Sequence, residues 1–340
     1  MARRWVAAGD SVEWFTERFP GAPAEEEVDG VHVVRAGRQW TVHARAVSRY
    51  RGRLRRRFDV VIDEVNTIPF FTPWWAGIPG VLLIYQLARE VWWYESPFPL
   101  NAIGFALEPW YLRPYRSTPA FTISASTQAD LRRLSWRAPV TVIPIGIDTP
   151  THIARPTPGK EIRFLYAGRL APSKRVHEIV AAFAEYRRDG RAGRLWLVGD
   201  GPPGYVARLR RQATELGVVK DVEFNGRVSA DEKYWRMTDA TALLMASVRE
   251  GWGLVVTEAG ACGTPAIVYD VPGLRDSVRD RETGLVVAPN PRAMAEAMRR
   301  LVEDRDLRAR LGEAARTWSR SFTFDRAAAV LRAGLERAAG

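Results

Sequence analysis

Two glutamates eight residues apart, on either side of a Gly-Trp-Gly loop, constrain this 340-residue chain more than any other feature. The apolar run at 241–245 predicts a short buried strand, and residues 254–262 predict a helix. Glu250 then lies in the loop that joins them, and Glu258 lies about one turn into the helix. The segment is therefore predicted to be a strand, a glycine-containing loop and a helix N-terminus.

A helix N-terminus that follows a glycine loop favours an anionic ligand. Its first backbone N–H groups have no partner inside the helix, and glycine lets a phosphate approach the backbone closely. The two carboxylates cannot serve the phosphate, but they can accept hydrogen bonds from sugar hydroxyls. A ligand with phosphates between hydroxyl-bearing rings, a nucleotide-sugar, satisfies both requirements. An acidic loop before an ordinary capped helix would show the same two glutamates.

A longer string around the two glutamates resembles a known family. The string from Glu250 to Val278, EGWGLVVTEAGACGTPAIVYDVPGLRDSV, is similar to the E-x7-E region of the family 4 glycosyltransferases. The junction at 144–148, PIGID, and the string at 168–174, GRLAPSK, also resemble that family. The resemblance runs from about Ala2 to the C-terminus. It implies an α/β chain of GT-B architecture, with two Rossmann-like doubly wound domains facing a cleft, and a retaining enzyme.

The resemblance and the position of a proline-rich segment together predict the domain boundaries. An acceptor-side Rossmann-like domain is predicted at 1–148, a Pro- and Thr-rich linker at 149–160, and a donor-binding domain at 161–320. Residues 321–340 are predicted to form a C-terminal helix that packs back on the first domain. The first domain opens inside a helix, without the family's usual N-terminal strand and glycine-rich loop. We expect it to be less stable than the second, and full activity to need that segment.

Composition limits the class of ligand and the cellular location that we expect for this chain. The net charge is +11, and no nucleic-acid-binding motif accompanies it, so phosphate substrates and some membrane attraction explain the charge better. No apolar run of about 18 residues predicts a transmembrane helix. The single cysteine, Cys262, is expected to be a small core residue in a reducing cytosol. Aromatic residues at 70–115 with nearby arginines fit contact with anionic lipid at the inner membrane face, or a solvated basic surface.

Two cations are predicted to hold the donor diphosphate. Arg169 and Lys174 follow the carboxyl end of a predicted strand, five residues apart around a proline turn. An arginine can engage a phosphate bidentately and a lysine supplies a point charge, so the pair can replace a divalent metal. We therefore expect no metal and no cofactor, with the nucleotide-sugar as substrate. A surface Arg/Lys pair without function is the alternative.

The resemblance also implies a role for each site residue. Arg169, Lys174 and Glu250 form the catalytic set, in which Glu250 holds sugar hydroxyls and the cations stabilise the departing diphosphate. Glu258 holds the ribose, and Arg227 and Val228 contact the base. The donor-binding set is Gly168, Arg227, Val228, Trp252, Gly253, Leu254 and Glu258. Backbone N–H groups of the three residues at 252–254 face the phosphates or the sugar.

The acceptor side departs from the family pattern. Family members commonly have a histidine at the end of the strand predicted at 80–85, whereas this chain has Tyr85 and Gln86. Gln86 can bind a sugar hydroxyl, but neither residue replaces a titratable imidazole. The acceptor stays open among a glycolipid, a polysaccharide and a small molecule. A catalytically impaired or partner-dependent nucleotide-sugar-binding protein is the main alternative function. A nucleotide-sugar epimerase and a basic nucleic-acid or membrane adaptor are the others.

Overall fold

The computed structural model describes residues 1–148 and 161–340, so the predicted linker at 149–160 lies outside the described residues. The chain divides into two compact units. Unit 1 comprises Met1–Leu87, Ala106–Gly146 and Thr323–Gly340, and unit 2 comprises Ala88–Phe105 and Ile147–Phe322. Within the described ranges, no helix is both long enough and apolar enough to cross a bilayer.

The regular elements alternate between strands and helices along most of the chain. The strands are β1 (Glu13–Thr16), β2 (Glu25–Val28), β3 (Val31–Arg35), β4 (Val61–Val65), β5 (Gly80–Ile84), β6 (Ala120–Thr122), β7 (Val140–Val142), β8 (Arg163–Ala167), β9 (Arg194–Val198), β10 (Val222–Gly226), β11 (Ala242–Met245), β12 (Ala266–Tyr269) and β13 (Gly284–Val287). The helices are α1 (Ala2–Ala7), α2 (Val42–Tyr50), α3 (Trp92–Glu95), α4 (Leu100–Tyr111), α5 (Ala125–Arg133), α6 (Val176–Arg187), α7 (Pro203–Glu215), α8 (Ala230–Asp239), α9 (Leu254–Ala261), α10 (Pro291–Glu303), α11 (Arg305–Ser319) and α12 (Phe324–Ala339).

The described residues of unit 2 contain one parallel sheet, with the strand order β10-β9-β8-β11-β12-β13. Its central strands are almost continuously apolar and fully buried, as expected when helices cover both faces. The order reverses between β8 and β11, which are neighbours. In such sheets the crevice beyond the carboxyl ends at this switch point is where ligands bind. The loops that follow β8 and β11 are therefore placed side by side.

Unit 1 contains two separate sheets. One has the order β1-β3-β2, with β2 antiparallel, and the other has the parallel order β4-β5-β6-β7. Helix α12 packs against α1 and β5. The indole Nε1 of Trp5 donates to the Ala328 carbonyl at 3.0 Å, and Arg332 forms an ion pair with Asp10 at 2.7 Å. The predicted fold class, α/β with Rossmann-like units, is confirmed.

A cavity of about 610 Å³ separates the two sheets of unit 1. Strands β1 and β4 both contribute to its lining, together with α1 and α12. Among the described strands, β1 pairs only with β3 and β4 pairs only with β5, so each has one edge without a neighbouring strand.

The unpaired edge of β4 should be visible in amide hydrogen exchange. The Val61 amide donates to the Pro79 carbonyl on the β5 side at 3.0 Å, so alternation places the Ile62 and Glu64 amides on the other edge. We expect these two amides to exchange faster than those of Val61 and Asp63, and faster than those of β8, which has neighbours on both sides. Residue-resolved exchange by NMR measures this directly. Uniform protection along β4 would show that this edge is covered.

Three elements differ from the sequence-based expectation. The arginine-rich run at 45–58 predicts one basic helix, but α2 ends at Tyr50 and Gly52 follows with φ +76° before a short 3-10 turn. Prolines and glycines at 20–30 predict a turn-rich segment, but it contains strand β2, in which Glu25 and Glu26 pair with arginines on neighbouring elements. Helix α4 was not predicted, since large aromatic residues such as those at 70–115 are by default expected in a core.

Candidate functional site

The loop after β8 presents Arg169 from a closely packed backbone. Gly168 has φ +153° and its amide donates to the Val198 carbonyl at 2.9 Å. A Cβ on Gly199 would lie 2.0 Å from the Gly168 carbonyl oxygen, so no side chain fits between the loops after β8 and β9. The Tyr166 hydroxyl donates to the Arg169 carbonyl at 2.7 Å. The backbone of Arg169 is thereby fixed, while its guanidinium stays accessible at 57% exposure.

The structure brings Lys174 and Glu250 together from adjacent loops. The Nζ of Lys174 lies 2.5 Å from Oε1 of Glu250, and the Ser247 hydroxyl donates to the same oxygen at 2.7 Å. The Glu250 amide donates to the Pro272 carbonyl at 3.0 Å. Glu250 is therefore held at both its backbone and its carboxylate. One carboxylate oxygen accepts both of these side-chain contacts, which leaves acceptor capacity for a ligand hydroxyl.

Helix α9 begins at Leu254, and the preceding Gly253 has φ +94° and supplies no side-chain cap. Only glycine adopts that conformation without strain, and it leaves the first turn open to an anion. The Trp252 indole is buried, donates to Thr257 at 2.8 Å and packs against Phe322. Its ring therefore belongs to the core. Only the backbone of residues 252–254 can serve the role predicted for them.

Glu258 is bound by a residue that the sequence did not point to. The Nζ of Lys233, on α8, lies 2.9 Å from both Glu258 oxygens. Lys233 is 25 positions upstream in another helix, so no local pattern links the two. Arg227, predicted at the base, is highly exposed and lies 3.5 Å from Asp200. The structure does not bring Arg227 into the Lys174–Glu250 group.

A segment from the first half of the chain, Ala88–Phe105, belongs to unit 2. It contacts the loop that carries Arg169 and Lys174, the two cations predicted to hold the diphosphate and called the clamp below. One Glu95 oxygen lies 2.8 Å from the Arg169 guanidinium, and the other accepts a hydrogen bond from Ser173. Both contacts join residues more than seventy positions apart, which is why sequence patterns did not reveal them. A carboxylate of the protein itself therefore occupies one of the cations assigned to the donor.

Further contacts hold this segment in place. Glu90 lies 2.9 Å from the Arg249 guanidinium, directly before Glu250 in the chain. The Tyr94 hydroxyl accepts a hydrogen bond from Arg175 at 3.2 Å. The segment contacts the positive loops of unit 2 mainly through acidic and aromatic side chains.

Electrostatics keep Glu95 ionised. Burial would raise the pKa of its carboxyl, but the hydrogen bonds from Ser173 and Arg169 outweigh burial and hold the pKa below its ordinary value. The carboxylate is therefore charged at neutral pH. Its attraction to Arg169 is lost only when the pH falls through this lowered pKa.

The two acceptor-side residues lie in unit 1 at the end of β5. The Tyr85 hydroxyl donates to Glu64 at 2.7 Å, and burial together with that carboxylate raises the pKa of the phenol further above its ordinary value. Tyr85 is therefore no general base. The Oε1 of Gln86 is buried and has no hydrogen-bond partner in the described part of the chain. A buried amide oxygen of this kind is suited to accept a hydrogen bond from a ligand hydroxyl.

Comparison with protein-family models decides the classification. The model described as "Glycosyl transferases group 1" matches residues 149–318, and the model "Glycosyltransferase Family 4" matches residues 1–150. The chain belongs to the family 4 glycosyltransferases. The resemblance drawn from the E-x7-E string is thus confirmed.

Curated relatives share this family over part of their length. Glycogen synthase of Mycobacterium tuberculosis is 33% identical over 247 residues, which cover 70% of this chain and 58% of that protein. D-inositol 3-phosphate glycosyltransferase of Streptomyces coelicolor is 36% identical over 174 residues, covering 49% and 38%. The chain therefore spans about half the length of the first of these relatives and less of the second.

Solved structures show the same fold at low identity. Sucrose-phosphate synthase from Thermosynechococcus elongatus superposes with a TM-score of 0.79 at 24% identity, covering 98% of this chain and 90% of that one. Anabaena HepE in complex with UDP-glucose gives a TM-score of 0.69 at 20% identity, covering 90% and 87%. These likenesses confirm the predicted GT-B fold.

Proposed function

We propose that this protein transfers a sugar from a nucleotide-diphosphate-sugar to an acceptor, with retention of anomeric configuration and without a metal or cofactor. The observation that carries the proposal is the meeting of Arg169, Lys174 and Glu250 at the switch point of the unit 2 sheet, beside the uncapped start of α9. Cations, a helix N-terminus and carboxylates in one place match the parts of such a donor. The HepE complex supports a uridine diphosphate sugar as one candidate donor.

Each residue of this group has a proposed task. Arg169 and Lys174 stabilise the negative charge that grows on the departing diphosphate, the interaction that usually lowers the barrier most. Glu250 orients the sugar through its hydroxyls and Glu258 holds the ribose. Because Lys233 already neutralises Glu258, that carboxylate can lie near phosphates with less repulsion.

Retention is proposed to follow a front-face path. The bond from the anomeric carbon to the diphosphate oxygen breaks, and the bond to the acceptor oxygen forms on the same face. The acceptor hydroxyl proton passes to the leaving diphosphate. The positive charges of Arg169 and Lys174 favour this path, since they hold the diphosphate in place while it accepts the proton.

The direct test supplies a panel of nucleotide-sugars with and without candidate acceptors and follows release of nucleoside diphosphate in the presence of EDTA. We expect release that depends on the acceptor, and proton NMR of the product should show the donor's anomeric configuration. An inverted product, or turnover only with added metal, would contradict the proposal.

A second candidate function is nucleotide-sugar binding without efficient turnover by the chain alone. The divided sheet of unit 1 and the Tyr85–Gln86 pair, where the family commonly has a histidine, favour it. Saturable donor binding with no acceptor-dependent release would support this function. An epimerase would instead convert the donor when no acceptor is present.

The Glu95 contact predicts an unusual gain in affinity. We expect Glu95→Gln to bind nucleoside diphosphate about two- to fivefold more tightly, because the ligand no longer displaces a carboxylate from Arg169, a partly exposed pair of modest strength. Titration calorimetry measures the change. Glu313→Gln, which removes a carboxylate paired with Arg316 elsewhere in unit 2, is the matched control. Weaker binding by Glu95→Gln would mean that Glu95 supports the ligand.

We propose a cytoplasmic location, with peripheral contact at the inner membrane face. The single cysteine, Cys262, is buried, and burial raises the pKa of its thiol to about 11, so it remains an unreactive packing residue. The excess of 50 basic over 39 acidic residues favours contact with anionic lipid.

A further inference from the structure

Helix α4 presents an apolar face to solvent. Leu100, Ile103, Leu107 and Trp110 are 52%, 48%, 51% and 58% exposed. Their spacing of three, four and three positions places all four within about 80° of arc on one side of the helix, at 3.6 residues per turn. A helix at the surface of a protein in water normally has the opposite arrangement, with its apolar stripe toward the core. An exposed face of this kind indicates an interaction surface.

The charge distribution on α4 is also reversed. Glu108 is the one charged residue among the 12 positions of the helix, and it is buried at 3% exposure. It points away from the apolar face, since its helical angle lies about 120° from the centre of the stripe. The exposed side of the helix therefore carries no acidic group that would repel an anionic surface.

Cationic and aromatic groups continue the face beyond the helix. The Arg113 guanidinium lies 3.3 Å from the centre of the Trp110 ring, and both residues are exposed. Trp74, 69% exposed, lies in a short turn that packs against the turn at Arg113–Tyr115. Tryptophan and arginine side by side are suited to the headgroup region of a bilayer, where the ring enters the interface and the cation meets phosphate.

We propose that the α4 face (Leu100, Ile103, Leu107 and Trp110, with Arg113 and Trp74 beside it) docks on an anionic lipid bilayer. The absence of exposed acids on the described helix and the adjoining arginine favour a lipid surface over a second copy of this basic chain, whose net charge is +11. The acceptor is then a lipid-borne molecule, an assignment that rests on the proposed function.

The chain path supports the lipid-borne acceptor. Helix α4 lies in the connection that leaves the carboxyl end of β5 through Tyr85 and Gln86 and returns to β6. Ligands of parallel sheets bind beyond the carboxyl ends of the strands. A bilayer at α4 would therefore lie along the same connection as the Gln86 amide oxygen, which is buried and has no hydrogen-bond partner among the described residues.

Cosedimentation with vesicles tests the docking surface without any sugar transfer. The full chain is mixed with vesicles of phosphatidylcholine alone, or of phosphatidylcholine and phosphatidylglycerol in equal parts. We expect binding to the anionic vesicles, weakened about tenfold by the double variant Ile103→Ser/Leu107→Ser. Arg113→Gln should weaken binding about fivefold at low salt and reduce its salt dependence. Leu216→Ser, at a 44% exposed position after α7, is the control and should bind as wild type.

Each outcome bears on a separate part of the proposal. Equal binding to both vesicle types, or wild-type binding by the double variant, would overturn the docking surface. The same holds if the double variant turns a dimer into a monomer in ultracentrifugation and leaves vesicle binding unchanged. Nucleotide titration of the same samples isolates the proposed function. If the protein binds vesicles but no nucleotide, the docking surface stands. The assignment of a lipid-borne acceptor then fails, because it rests on the proposed function.

Discussion

Replacing Glu250 with glutamine should lower sugar transfer about 100- to 1,000-fold and leave nucleoside diphosphate affinity nearly unchanged. The carboxylate is fixed by Lys174 and Ser247 at the mouth of the switch point, where it can hold sugar hydroxyls. An amide keeps the shape but loses the charge that accepts those hydroxyls strongly and orients the Lys174 ammonium. The loss therefore falls on the transition state, in which the sugar is held for transfer.

Two measurements separate this role from a structural one. Glu258→Gln is the matched variant, and it should weaken plain nucleoside diphosphate, because Glu258 is assigned to the ribose. Thermal unfolding of both variants checks that the loss of the Lys174 or Lys233 ion pair has not destabilised unit 2. If Glu250→Gln weakens plain nucleoside diphosphate as much as intact donor, its assignment to the sugar is wrong.

The second large effect is expected at the clamp. Lys174→Ala and Arg169→Ala should each weaken nucleoside diphosphate binding about 10- to 150-fold, the cost of about 1.5–3 kcal/mol for a lost charge-assisted hydrogen bond. Lys174 is the more sheltered, with a side chain 24% exposed against 57% for Arg169. We expect the larger loss from Lys174, because screening by water is weaker there.

Matched controls show whether the effect is local. Lys220→Ala removes an exposed lysine from unit 2 away from the β8 and β11 loops, and should not change the affinity. A nucleoside without phosphates should bind the two clamp variants and the wild type equally. Unchanged diphosphate titrations for both Lys174→Ala and Arg169→Ala would remove the clamp from the account.

Local sequence periodicity predicted the helices and strands around the Lys174–Glu250 group well. Strand β11 and helix α9 differ from their predicted bounds by one residue at one end. These elements are buried in unit 2, so hydrophobic pattern and backbone conformation agree. The meeting of the β8 and β11 loops follows from the doubly wound order alone.

Contacts between distant positions could not be predicted in this way. Glu95 and Arg169 are 74 positions apart, and Lys233 and Glu258 lie on different helices. Strand β2 is three glutamates and a valine, and glutamate, which strands normally lack, is tolerated here because two of the three pair with arginines and the strand lies at the sheet edge. Apolar richness hid α4, since composition does not tell a buried helix from one whose apolar face is exposed.

The most direct test of the account is a crystal structure of the wild-type protein with a nucleoside diphosphate, grown in the presence of EDTA. The account predicts diphosphate oxygens about 3 Å from the side-chain nitrogens of Arg169 and Lys174, ribose hydroxyls on Glu258, and Glu95 displaced from Arg169. A diphosphate bound elsewhere, or bound while Glu95 still pairs with Arg169, would contradict it.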